Sequence, residues 1–150
     1  METFRVIIVD DDADDQELLL NALEAENEFK ATGSAYGYKQ LIELLKGTDI
    51  LPDVILIDLN LPLKNGMEIC CELRADLRYR KVVFVLMSEI CPAPVIEKSI
   101  RDCAIPFLTK PCTIEEFRIF STQLHEIVEK DKKAKIPGKL LEIVNLLLAV

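Results

Sequence analysis

Residues 54–62 read Val-Ile-Leu-Ile-Asp-Leu-Asn-Leu-Pro: four unbroken apolar residues, then Asp58, then a short stretch closed by Pro62. A run this short and this apolar reads as a strand buried on both faces, which belongs in a parallel sheet covered by helices. Asp58 is thereby delivered to the mouth of the sheet. Residues 6–9, Val-Ile-Ile-Val, repeat the form and lead into Asp10, Asp11 and Asp12. Two apolar strands that both finish in carboxylates crowd like charges at one edge, an arrangement that is costly unless a cation or a proton joins them. A divalent-metal site is the leading expectation.

Outward from these two runs, strand-like and helical patterns alternate. Strands are expected at 4–9, 29–35, 54–57, 82–87 and 105–108, and helices at 14–26, 38–45, 67–75, 95–102 and 114–129. Five such units predict an α/β fold, a doubly wound parallel five-stranded sheet with helices on both faces. The second strand, Phe29 to Ala35, is the least apolar and suits an edge. Ligands of open sheets lie at the carboxyl ends of the strands near the switch point, where both aspartate groups fall. Asp12 or Ala13 should open the first helix, Asn65-Gly66 the third, and Thr113 with Glu116 forms a capping box. From Glu129 the chain turns basic and polar, Pro137-Gly138 punctuates it, and 140–150 are apolar apart from Glu142 and Asn145. The reading is a main domain over 1–128, then a linker and a short C-terminal helix over 129–150. A helix of under ~12–15 residues is marginal without packing. Docking on its own domain or a dimer contact is therefore expected, ahead of the start of a truncated output region.

Composition narrows the function. With 150 residues, 50% of them hydrophobic, the chain fits one domain with a core plus an appendage. A net charge of −8 works against binding nucleic acid through phosphate contacts. No secretory leader pattern opens the chain and no apolar stretch approaches the ~20 residues that cross a bilayer, so a cytoplasmic protein without a membrane partner is expected. The five cysteines, Cys70, Cys71, Cys91, Cys103 and Cys112, form no CxxC pair and suit reduced, mostly buried thiols, with Cys70 and Cys71 as helix-buried packing. One histidine, His125, weighs against a His-based zinc site, a Ser-His-Asp triad or an internal phosphohistidine relay. It is expected as an ordinary helix-surface residue.

Four elements in order carry a resemblance: Asp10-Asp11 after the first strand, Asp58 with Pro62 after the third, Ser88 after the fourth and Lys110-Pro111 after the fifth. Over residues 4–128 the chain resembles the receiver domain of bacterial two-component response regulators. The resemblance implies a flavodoxin-like (βα)5 fold with strand order 2-1-3-4-5 and Asp58 as the phosphoacceptor. It further implies Mg²⁺ held directly by Asp11 and Asp58, by Asp10 through water, and by the backbone carbonyl of Asn60. Lys110 would pair with one phosphoryl oxygen and Ser88 would hydrogen-bond another, while Ser88 and Phe107 shift as the switch. The implied partners are a sensor histidine kinase or histidine phosphotransfer protein upstream, and a downstream protein on the face of the fourth helix, fifth strand and fifth helix. A homodimer is a further role for the tail.

The chemistry of these residue types agrees. A carboxylate attacking a phosphoryl group brings two anions together, so the site must supply positive charge and hold the attack in line. Oxygen-only ligands that leave waters in place suit Mg²⁺. The phosphoryl group would add roughly −1.5 to −2 charge, which matters only through a two-state element.

The sequence also departs from the pattern. Glu89 stands directly after Ser88, where a small residue is usual, and implies slower phosphorylation. Cys103-Ala104 and Ile105-Pro106 stiffen the approach to the fifth strand and reduce switching. Ile90 cannot orient an attacking water, which implies a long-lived phosphorylated state. Plainer readings stand beside these: Asp12, Asp14 and Asp15 as a favourable helix start, Ser88 as a surface hydroxyl, Lys110 as a solvated amine and Phe107 as core.

The expected function is a phosphorylation-dependent signalling switch that acts through protein contacts and catalyses only its own phosphorylation and dephosphorylation. Two alternatives stay open. A Mg²⁺-dependent phosphohydrolase with an aspartyl-phosphate intermediate would need a second carboxylate where Asn60 stands. A phosphorylation-independent pseudo-receiver adaptor would be consistent with Glu89 and the 103–106 departure. An EF-hand loop counted from Asp10 fails, with Asp15 at the glycine position and Asn21 at the bidentate glutamate position.

Overall fold

The structure, a computed structural model, describes residues 2–90, 92–134 and 146–149. The apolar runs form β1 (Phe4–Val9), β2 (Phe29–Ala35), β3 (Val54–Asp58), β4 (Val83–Ser88) and β5 (Phe107–Thr109). The helical patterns form α1 (Ala13–Ala25), α2 (Tyr38–Lys46), α3 (Gly66–Arg74), α4 (Pro94–Asp102) and α5 (Ile114–Ala134). Every strand pairing is parallel and the order is β2-β1-β3-β4-β5, as the resemblance implied, with β2 at an edge. This is a flavodoxin-like doubly wound sheet.

Successive strand residues point to opposite faces, so each central strand feeds two cores at once. Ile7, Val9, Ile55, Ile57, Phe84 and Leu86 meet α2 and α3 through Leu41, Leu45, Ile69 and Leu73. Val6, Ile8, Leu56, Val85 and Met87 meet α1 and α5 through Leu19, Leu23, Phe120, Leu124 and Val128. With both faces covered, β1, β3 and β4 have no polar alternation to show. The expected caps form as read. Asp12 accepts from the backbone N–H groups of Asp14 and Asp15, Asn65 accepts from that of Glu68, and Thr113 and Glu116 bond reciprocally.

Several expectations are corrected. α5 continues to Ala134 because Val128 sits in the core and Lys132 Nζ lies 3.0 Å from Asp53 Oδ1, so 129–134 are helix and not linker. β5 starts late: the Ile105 N–H closes α4 by donating to the Ile100 carbonyl, Pro106 has no N–H, and Ala104 takes a left-handed φ of 52°. A short 3-10 turn, Leu77–Tyr79, capped by Asp76, separates α3 from β4. His125 is interior, 8% exposed, with its ring 4.9 Å from that of Phe4 and 5.9 Å from that of Phe29. It lies beside the Phe120–Leu124–Val128 stripe, and the long α5 presses it onto the sheet. Only Cys70 of the described cysteines is buried; Cys71, one position round α3, is exposed, as are Cys103 and Cys112. The helix expected at 140–150 lies mostly outside the described residues, of which 146–148 are helical and exposed. No helix among the described residues is long and apolar enough to cross a membrane.

Candidate functional site

Parallel strands all end at the same edge, and four neighbouring ones bring their polar residues there. β1 runs into Asp10 and Asp11, β3 ends on Asp58, β4 ends on Ser88, and Lys110 follows β5. Register enforces the meeting: Asp58 pairs with Met87, Ser88 pairs with Thr109, and the Lys110 N–H donates to the Ser88 carbonyl at 2.8 Å. Asp10, Asp58, Ser88 and Lys110 are all buried, whereas Asp11 is exposed.

Each oxygen of Asp58 has a defined partner. Oδ1 accepts from the Asn60 N–H at 2.9 Å and Oδ2 accepts from Lys110 Nζ at 3.0 Å. The same ammonium lies 2.7 Å from Asp10 Oδ2 and 3.2 Å from Asp15 Oδ2. Burial works against the Lys110 charge, yet the Asp10 and Asp58 carboxylates outweigh it and hold its pKa above the ordinary lysine range. Lys110 is therefore a permanent cation here. Burial pushes the Asp10 carboxyl upward and Asp58 adds to the effect, against the opposing pull of Lys110 and of the Asp12 N–H that Asp10 Oδ1 accepts.

The carboxylates of Asp10, Asp11 and Asp58 each place an oxygen within 4.8 Å of the others. These oxygens and a hard cation fit one another, and the residues leave room for retained waters as Mg²⁺ requires. They border a cavity of about 330 Å³ that Asp12, Asp15, Asn60, Glu89, Ile90 and Lys110 complete. A larger hollow of about 580 Å³ between β2 and α2 gathers no such charges, with Glu43 its sole ionised lining residue.

Every site residue read from the sequence reaches this edge except Phe107, which sits half-buried at the start of β5, against the core on the α2–α3 side. Three features were not read. Asn60 Nδ2 donates to Ser88 Oγ at 3.0 Å, so the side chain of Asn60, and not only its carbonyl, belongs to the site. Gln16 is buried and its amide donates to the carbonyls of Asp10 and Ala35, both at 2.7 Å, which fixes the turn carrying the acids. A polar residue on the Leu19–Leu23 stripe of α1 was the available signal. Asp15 reaches Lys110, where the sequence offered only a helix start.

Comparison with known proteins agrees with this geometry. The model of the response regulator receiver domain family matches residues 6–120. Transcriptional regulatory protein MalR of Bacillus subtilis is 34% identical over 127 residues, covering 85% of this chain and 51% of MalR. A protein-glutamate methylesterase/protein-glutamine glutaminase of Pyrococcus abyssi is 28% identical over 142 residues, covering 93% of this chain and 37% of that enzyme. The chain thus spans about half or less of these relatives. Among solved structures, the signal receiver domain of NarL from Mycobacterium tuberculosis superposes with a TM-score of 0.67 at 25% identity, over 84% of this chain and 98% of that one. The response regulator domain of Thermotoga maritima CheB gives 0.66 at 24% identity, over 90% and 100%. With the acids, hydroxyl and ammonium at their strand ends and the match spanning most of its length, the chain belongs to the response regulator receiver domain family.

Proposed function

We propose that this chain is a phosphorylation-dependent switch of a two-component relay, with Asp58 as the acceptor. The observation that carries the reading is the state of Asp58: a buried carboxylate with one oxygen on the Asn60 N–H, the other on Lys110, and two further acids beside it. In the transfer, an Asp58 oxygen bonds to phosphorus as the bond from phosphorus to the donor's leaving atom breaks, an imidazole nitrogen in a phosphohistidine or the acyl oxygen in acetyl phosphate, and that electron pair leaves with the donor. Mg²⁺, held by Asp10, Asp11, Asp58 and the Asn60 carbonyl, would supply charge neutralisation for the meeting of two anions. Lys110 keeps its proton and offers its charge to a phosphoryl oxygen. Ser88 accepts from Asn60, which leaves its own O–H free to donate to another. Ser88 and Phe107 are the residues whose positions would report the change.

In this reading residues 1–128 form the receiver unit and 129–150 an extension whose surface is its own domain or a second copy. A sensor histidine kinase or a histidine phosphotransfer protein supplies the phosphoryl group, and a protein on the α4–β5–α5 face receives the signal. The chain acts in the cytoplasm and catalyses only its own modification. Incubation with Mg²⁺ and acetyl phosphate, followed by intact mass measurement, tests this. One added phosphoryl group on the wild type and none on Asp58→Ala is expected. Steady turnover of a phosphoester would favour a phosphohydrolase instead, and an unmodified wild type would favour a phosphorylation-independent adaptor, the reading that Glu89 on the cavity wall supports.

A further inference from the structure

Lys110 is shared among three carboxylates, and the third, Asp15, is neither the acceptor nor one of the three clustered acids. Asp15 stands in the first turn of α1, where its N–H donates to Asp12 Oδ1 at 3.1 Å. The cap that starts the helix therefore also sets Asp15 over the cavity, with Oδ2 at 3.2 Å from Lys110 Nζ. Two of the ammonium's three N–H donors bond Asp15 and Asp58, and Asp10 Oδ2 crowds it at 2.7 Å as an ion pair outside hydrogen-bond geometry. While a phosphoryl donor approaches, Asp58 still carries its charge. An incoming oxygen then competes for the Lys110 charge with three carboxylates, two of which already hold its N–H groups.

The three carboxylates are unequal. The side chains of Asp10 and Asp58 are 1% and 8% exposed, whereas that of Asp15 is 34% exposed. Separating Asp10 or Asp58 from Lys110 strands a buried charge, which is expensive, while Asp15 can turn to water. Once released, its carboxylate remains beside the N-terminus of α1, where the helix dipole favours an anion. We propose that Asp15 is a positioning residue for Lys110, a removable counter-ion that occupies the ammonium until a phosphoryl oxygen takes its place. The inference rests on Asp58 being the phosphoacceptor.

The test compares wild type, Asp15→Asn and Asp15→Glu in initial rate of labelling by acetyl phosphate at saturating Mg²⁺, read by intact mass. Circular dichroism verifies that each is folded. Asp15→Asn keeps the shape but loses the competing charge and should label about two- to fivefold faster, the weight of a partly exposed ion pair. Asp15→Glu keeps the charge and should label as the wild type does. The advantage of Asp15→Asn should shrink at high salt, a response that a purely structural role would not give. Equal or slower labelling of Asp15→Asn overturns the inference while Asp58 stands as acceptor. Absence of label on all three proteins overturns the acceptor reading and this inference with it.

Discussion

Cys70 and Cys71 are neighbours in sequence and opposites in chemistry. α3 turns Cys70 into the same core as Ile69, and burial pushes its thiol up to about 12 from an ordinary 9.0. Only the thiolate is nucleophilic, so the folded protein should be alkylated by iodoacetamide at Cys71, Cys103 and Cys112 while Cys70 stays protected until the chain unfolds. Peptide mapping of native and denatured protein checks this. The linkage has a definite sign: an unfolded thiol ionises near 9.0, the folded one only near 12, so Cys70 favours the native state less as pH rises from 9.0 towards 12. The presence of a short apolar run and the type of residue ending it were legible because they are local. Whether a given cysteine faced in or out depended on a single step of helix phase, and α3 is too short to fix that phase by pattern.

At the scale of the element, the β3–α3 connection governs the placement of Asp58. Gly66 begins α3 so close to the end of β3 that a Cβ there would run into the Asp58 carbonyl oxygen and come 2.9 Å from the Leu59 Cα. Those are backbone atoms and cannot step aside as a side chain could. Gly66→Ala should therefore cost about 1–3 kcal/mol, as overpacking does, and should also slow phosphorylation because the strain falls on the residue carrying the carboxylate. Urea unfolding and acetyl phosphate labelling together measure both. Asn65-Gly66 was legible as a turn, but the tightness of the contact was not, since it depends on where the preceding strand stops. Likewise, the strand-end positions of Asp10, Asp58, Ser88 and Lys110 could be read from four separate local patterns. The pairing of Lys110 with Asp15, across 95 residues, had no local signature. Sheet register brings it about.

For the whole molecule, a net charge of −8 with three acids within 4.8 Å makes the carboxylate edge a place where folding works against repulsion. Lys110 answers part of it, and a divalent cation should answer more. Mg²⁺ at about 100 times its Kd should stabilise the fold by about 2.7 kcal/mol through mass action. Thermal unfolding with Mg²⁺ and after chelation checks this. Asp11→Asn, at the exposed acid of the three, should flatten the response with little effect on the metal-free protein. An unchanged unfolding temperature in the wild type would remove the cation from the account. The doubly wound architecture was legible from the alternation of units, whereas the extent of α5 was not, because the Lys132–Asp53 ion pair that extends it joins the helix to a loop ahead of β3.

At the opposite pole of the sheet, His125 Nε2 lies 3.1 Å from the backbone carbonyl of Glu2, and its ring rests on Phe4. Glu2 is thereby fastened to the midsection of α5, at the far end of β1 from Asp10, Asp11 and Asp58. A dye or affinity tag attached ahead of Glu2 would leave the surface there, and its signal should track denaturation while staying indifferent to acyl phosphate formation.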